Sequence, residues 1–216
     1  MDFIPKIIDD YAVNHSDKEP QYLYDLYRET HLNVLRPRML SWHLQGRTLS
    51  FISKMLQPKL IVELGTYTGY SALCLAEGLM EGGSLYTIDR EDELQTIQKK
   101  YFNLSPFEDS IIPVLADAID CIPELPDDID LVFIDADKEN YLNYFKALLP
   151  KMKQGGVLIA DNVLWSGKVV EDLDQNDEET LALIDFNDFV QNDDRVENLL
   201  LPIRDGLMLV RKKNND

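Results

Sequence analysis

Cysteine is scarce in this chain of 216 residues. Cys74 and Cys121 are its only two, and they stand far apart in neither a disulfide framework nor a metal-ligand pattern. Their isolation argues against a disulfide-stapled secreted scaffold and for a reducing, cytoplasmic setting. Both read as small buried hydrophobes. Long apolar runs are also missing. No window approaches the roughly 18 apolar residues of a membrane span. The start, MDFIPKIIDDYAVNHSDKEP, carries acids early and lacks an uninterrupted apolar segment, so neither a signal nor an anchor is expected. Positive charge is in short supply, with 21 basic against 39 acidic side chains and a net charge of −18. Such a balance repels a phosphate backbone and disfavours long nucleic acids as partners. Much of the excess lies in Glu171–Thr180, EDLDQNDEET, which reads as a solvated acidic loop. The dinucleotide fingerprint GxGxxG is absent as well.

The length fits a single domain over 1–216 with a sizeable core. Residues 1 to about 56 hold three helix-like segments separated by HSDKEP and RPRM, and Ser41 is the expected N-cap of the third. From residue 57 onward, short apolar runs alternate with helical patterns: LIVEL, SLYTID, IIPVLA, DLVFID and GGVLIAD are followed in turn by segments of helical periodicity. Strands apolar throughout and separated by helices indicate a parallel sheet covered on both faces. ENLLLPI and GLMLVRK, joined by RDG, predict a closing antiparallel hairpin at one edge. The expected architecture is a doubly wound α/β sheet behind a helical prelude, with ligands at the strand C-terminal ends.

Those ends carry Glu63, Asp89, Asp117, Asp135 with Asp137, and Asp161 with Asn162. One acid there would serve as a helix cap; five converging on one crevice point to a ligand. The turn ELGTYTGYS places Gly65 and Gly69 before a helix, allowing backbone to approach a ligand, although a plain strand-to-helix turn has the same look. Asp89 suits a ribose diol, which suggests a nucleoside.

VELGTYTGYSAL, YTIDRE, DLVFIDADKENY, GGVLIADNVLWSGKV and LPIRDGLMLV, in that order over about residues 38 to 212, resemble the cation-dependent, S-adenosylmethionine-dependent O-methyltransferases of the caffeoyl-CoA and catechol type. The resemblance implies a seven-stranded methyltransferase sheet with an antiparallel final strand, and a homodimer. It implies that Asp135, Asp161 and Asn162 hold Mg²⁺ or another divalent ion such as Mn²⁺ or Ca²⁺, for which oxygen donors are apt. Lys138 corresponds to the catalytic lysine, and a nearby cation would lower its pKa. Ser41, Glu63, Gly65, Thr66, Ser71, Asp89, Ala118 and Asp137 correspond to cofactor positions, although Asp137 also reads as an acid supporting the metal ligands. Trp165 reads either as a wall of the acceptor site or as a packed loop aromatic. Ser166 departs from the pattern, standing where plant caffeoyl-CoA enzymes often have Asn, and no basic N-terminal grip for CoA is evident.

The function implied is methyl transfer to a small catechol-like phenol. Two other readings are methylation of a hydroxylated tRNA uridine, against which the net charge weighs, and a non-catalytic nucleoside-binding module, against which the joint presence of Lys138 and the three metal-ligand positions weighs.

Overall fold

Apolar runs that end in glycine, proline or an acid become strands, and the amphipathic stretches between them become helices. A computed structural model describes residues 4–172, 174 and 176–214. Backbone proximity divides the described residues into two compact units, Lys6–Asp117 and a second that begins at Ala118.

The first unit opens with helices α1 (Lys6–Asn14), α2 (Gln21–Asn33) and α3 (His43–Leu56). Strands β1 (Leu60–Leu64), β2 (Ser84–Asp89) and β3 (Ile111–Leu115) then form a parallel set, with Leu64 opposite Ile88 and Ile88 opposite Val114. Helices α4 (Tyr70–Ala76) and α5 (Gln95–Leu104) make the crossovers. Pro113 falls in β3 at the outer edge of this set, where a missing N–H is tolerated. The third helix starts one residue later than the sequence suggested. Trp42, not Ser41, occupies its N-cap with no side-chain capping bond, and Ser41 is buried instead. At this position a residue with strong capping propensity is drawn into the interior.

In the second unit, β4 (Ile129–Ile134) pairs in parallel with β5 (Met152–Asp161), and β7 (Leu207–Lys212) runs antiparallel to both β5 and β6 (Val196–Leu201). Every residue of β4 is buried, as expected for a strand covered on both faces. Helices α6 (Ala118–Cys121), α7 (Tyr141–Leu148) and α8 (Glu178–Gln191) complete it. Phe186 of α8 stands edge-on to Tyr141 and Phe145, at ring centroid distances of 5.6 and 6.2 Å. Such a buried aromatic contributes roughly 1.5–3 kcal/mol through its area alone. In the acidic loop, Leu173 and Gln175 lie outside the described residues. Asp177 caps α8 by accepting from the Thr180 N–H at 3.2 Å.

A polar network supports the prelude. The Glu77 carboxylate accepts from Arg47 at 2.6 and 3.0 Å, from Ser50 at 2.7 Å and from Lys54 at 2.6 Å. Burial alone would raise the Glu77 pKa, but these donors outweigh it and hold the carboxyl below its ordinary value. Replacing Glu77 by Ala strands the Arg47 guanidinium, whose side chain is 12% exposed. We expect a loss of about 3 kcal/mol and a fall in melting temperature of roughly 6–12 °C. Lys54→Ala, at the wetter end of the network, should cost under about 1 kcal/mol; thermal unfolding of both variants measures the contrast.

Candidate active site

Within the first unit, the chain leaves β1 through Glu63-Leu64-Gly65-Thr66-Tyr67. Gly65 (φ 96°), Tyr67 (φ 49°) and Gly69 (φ 92°) all adopt left-handed backbone. At Gly69 a Cβ would lie 2.5 Å from Phe102, so only glycine fits there. Glu63 is fully buried and accepts a hydrogen bond from the Thr87 hydroxyl at 2.5 Å. Thr87 in turn shares a 2.6 Å bond with Thr66. Asp89, at the end of β2, accepts from the N–H groups of Thr66 (3.0 Å), Tyr67 (2.7 Å) and Glu91 (3.0 Å). Glu63, Gly65, Thr66 and Asp89 are thus brought into one hydrogen-bonded turn, since Gly65 N–H also donates to Ile88 at 2.9 Å. Ser71 is buried one residue into α4, and Ser41 just before α3; the two helices pack together.

Within the second unit, the β4–β5 register places Ile134 beside Ala160. The next residues, Asp135 and Asp161, therefore emerge from neighbouring strand ends, about 5 Å apart in backbone spacing. Two carboxylates so placed repel each other unless cations intervene. One intervening cation is Lys138, only 7% exposed, whose Nζ donates to Asp135 Oδ1 at 2.9 Å and to the Tyr141 hydroxyl at 2.7 Å. Tyr141 Oη then donates to the carbonyl of Asp161 at 3.0 Å. This chain of bonds ties the end of β4 to the end of β5.

Burial, the largest single influence, drives Lys138 towards losing its proton, but Tyr141 and Asp135 prevail and raise its pKa above the ordinary lysine value. A lowered pKa presupposed a cation beside the ammonium, and does not hold for the chain alone. Burial also raises the pKa of Tyr141, so its hydroxyl keeps the proton.

Asn162 follows Asp161 in left-handed backbone (φ 60°), and its N–H donates to Asp161 Oδ1 at 2.8 Å. Two carboxylates and one amide oxygen make a hard donor set fit for a divalent ion. Among the described residues no group of three His, Cys, Asp or Glu side chains is arranged to hold a metal, and the expected set takes its third donor from an amide. Asp137 is turned to other partners, accepting from Tyr144 Oη and Asn140 Nδ2, each at 2.5 Å. Ala118 opens α6 in this same unit.

Three contributors escaped the sequence reading. Tyr141 lay inside the quoted stretch DLVFIDADKENY, and its spacing of three from Lys138 is a helical-face signal. Thr87 gave no signal beyond its place in YTID. The third is the PIRDG loop between β6 and β7. Asp205 accepts from the Ser166 N–H, its own carbonyl accepts from Leu164 N at 2.9 Å, and Gly206 O accepts from Val163 N at 3.3 Å. These bonds brace the loop in which Trp165 and Ser166 take left-handed conformations that such residues seldom adopt, after Asn162, for which that conformation is more readily reached. The Trp165 ring centroid is 5.8 Å from Lys138 Nζ.

Residues 13–213 match the O-methyltransferase family model. A caffeoyl-CoA O-methyltransferase of Stellaria longipes is 30% identical over 207 residues, covering 90% of this chain and 85% of its own. A flavonoid 3',5'-methyltransferase of Vitis vinifera is 33% identical over 179 residues, covering 78% and 76%. The crystal structure of an O-methyltransferase from Bacillus cereus in complex with SAH, 25% identical, superposes with a TM-score of 0.88 over 96% of this chain and 97% of that one. The α/β architecture, the reversed last strand and the N-terminal helices are therefore those of the seven-stranded methyltransferase sheet. Sequence and fold agree, and the chain belongs to the O-methyltransferase family.

Proposed function

We propose that this protein transfers a methyl group from S-adenosylmethionine to one hydroxyl of a small vicinal dihydroxy-aromatic, with the assistance of a divalent cation. The observation that carries the proposal is the Asp135–Lys138–Tyr141 cluster, its lysine and tyrosine buried, beside Asp161 and Asn162 at two adjacent strand ends. A base, a hard-oxygen donor set and a hydrogen-bonded carboxylate turn are what such a transfer requires. The names of the two plant relatives, caffeoyl-CoA and flavonoid methyltransferases, point the same way.

In this reading the cofactor supplies an electrophilic methyl group on a sulfonium. Asp89 grips its ribose with the lone pairs left after Thr66, Tyr67 and Glu91 are served, and Glu63 faces its cationic methionine portion. Gly65, Thr66, Ser71, Ser41, Ala118 and Asp137 complete that set. Asp135, Asp161 and Asn162 would hold Mg²⁺ or a similar ion, which when bound acidifies a coordinated hydroxyl and neutralises the carboxylates. With the attraction that keeps it an ammonium in the chain alone offset while its burial persists, Lys138 would release its own proton to solvent and, as the neutral amine, take the hydroxyl proton. Tyr141 fixes the amine during that transfer. We further read the chain as one functional domain, 1–216, acting as a cytoplasmic homodimer on small phenols rather than on nucleic acid. No helix among the described residues is long and apolar enough to cross a membrane.

The direct test is incubation of the purified protein with S-adenosylmethionine and caffeate, with Mg²⁺ or with excess EDTA, and detection of the methylated product. Methylation should require the ion, and Lys138→Ala and Asp161→Ala should each lower kcat by about 10²-fold or more. Activity surviving full metal removal, or transfer to tRNA and to no catechol, would overturn the proposal. A second prediction isolates Tyr141. Tyr141→Phe removes an acceptor from Lys138 and a donor from the Asp161 carbonyl, so it should destabilise the fold by about 1–3 kcal/mol. It should also lower kcat roughly tenfold with little change in the KM for S-adenosylmethionine, as steady-state kinetics at saturating Mg²⁺ will read.

A further inference from the structure

In the first unit, the turn after β1 rests on helix α5 at two points. Gln98 and Phe102 stand four residues apart and share one face of that helix. Both are buried, at 4% and 3% exposure. The Phe102 ring fills the space that a side chain at Gly69 would need. Gln98 Nε2 donates to the Tyr67 carbonyl at 2.7 Å. Burial of a glutamine is costly unless its amide finds a partner. Here the partner is a main-chain oxygen of the turn whose N–H groups hold Asp89.

Tyr67 is the strained member of this turn. Its φ of 49° is left-handed, a conformation that costs a residue with a Cβ what it does not cost glycine. Its two peptide groups are pinned by different elements: the N–H by Asp89 Oδ2 at the end of β2, at 2.7 Å, and the carbonyl by Gln98 of α5. A return to negative φ turns the peptide planes on either side of the Tyr67 Cα against each other, so it breaks at least one of these bonds. The Tyr67 hydroxyl adds a third anchor, on the carbonyls of Leu35 at 3.1 Å and Arg36 at 3.3 Å. Asp89 Oδ2 also receives the Thr66 N–H at 3.0 Å. The orientation of this carboxylate therefore depends on the turn keeping its shape.

We infer that Gln98 is a positioning residue for the cofactor: by holding the Tyr67 carbonyl it keeps the turn left-handed and Asp89 aimed at the ribose diol of S-adenosylmethionine. The inference rests on the reading of Asp89 as the ribose grip and adds the helix side chain on which that grip depends. Gln98 acts through the turn and not on the reacting atoms. Its loss weakens cofactor binding and leaves the transfer step alone.

Gln98→Met keeps the length of the side chain and removes its donor. In calorimetric titration of the full chain, S-adenosylhomocysteine should bind this variant about fivefold more weakly than it binds wild type. The analogue without the ribose 2'-hydroxyl offers Asp89 only one hydroxyl, so its weaker binding should change by less than about twofold on the same substitution. In steady-state kinetics the KM for S-adenosylmethionine should rise about fivefold while kcat at saturating cofactor stays within about twofold. Gln98→Leu, which also lacks the donor and suits the same buried helix face, is the second variant and should repeat the pattern if methionine is not accommodated. Equal losses for both ligands, or unchanged affinity for S-adenosylhomocysteine in a folded variant, would overturn the inference. Asp89→Asn separates it from the reading beneath it. A loss of affinity in Asp89→Asn with none in either Gln98 variant would overturn the inference alone, and full affinity in Asp89→Asn would overturn the ribose grip and the inference together.

Discussion

The second unit is organised around one buried ammonium. Lys138 could not remain charged at 7% exposure without the Asp135 carboxylate and the Tyr141 hydroxyl, both under 3 Å from its nitrogen. Removing either partner would leave a buried charge short of compensation, so the three side chains constrain one another. Tyr141 must stay where α7 begins, and its aromatic ring must stay packed edge-on to Phe186. That in turn fixes α8 against the turn that carries the lysine. The all-buried strand β4 provides the rigid end from which the cluster projects. Packing and electrostatics therefore specify the same arrangement at this point in the chain.

Much of this was legible in the residue order. DLVFID and GGVLIAD announce buried parallel strands because they are apolar on both faces, and the acids that follow mark the ends where ligands bind. Helix α8 begins at Glu178 because Asp177 supplies a capping side chain. What the sequence hid depended on pairing in three dimensions. The Glu63–Thr87–Thr66 bonds follow from the β1–β2 register, which sets Glu63 opposite Thr87. Ser41 was misassigned as a cap because local propensity says nothing of burial. The Lys138–Tyr141 bond went unread because a spacing of three residues does not by itself say that two side chains meet.

The reversed last strand has a local purpose. Because β7 runs antiparallel to β5, its first residue, Leu207, lies opposite Asp161, the last residue of β5. A parallel strand would have brought its far end there instead. The reversal delivers Asp205 and Gly206 to the loop after Asp161, where they hold Val163, Leu164 and Ser166 by backbone bonds. Gly206 (φ 90°) leaves no room for a side chain, since a Cβ would lie 2.6 Å from Leu164 Cγ. Three left-handed residues without glycine's freedom would relax elsewhere if these bonds were absent. Asn187 of α8 adds a bond to the Val163 carbonyl at 2.9 Å. Hairpin and helix together keep Asn162 at the end of its strand.

The carboxylates at the strand ends are satisfied in two different ways, and the difference bears on what each can bind. Glu63 receives a neutral hydroxyl from Thr87, and Asp89 receives backbone N–H groups; such uncharged donors fix the orientation of a carboxylate. A cationic or polyhydroxyl ligand of the proposed kind would then meet an acceptor already oriented. Asp135 is instead paired with an ammonium, so a cation arriving there competes with Lys138 for the same oxygen. Such competition would couple ion binding to the protonation of the lysine, because burial favours the neutral amine wherever the Asp135 contact is weakened. Were an ion held there as proposed, Asp135 would link it to Lys138 through a single carboxylate, with the Tyr141 hydroxyl still bonded to the amine.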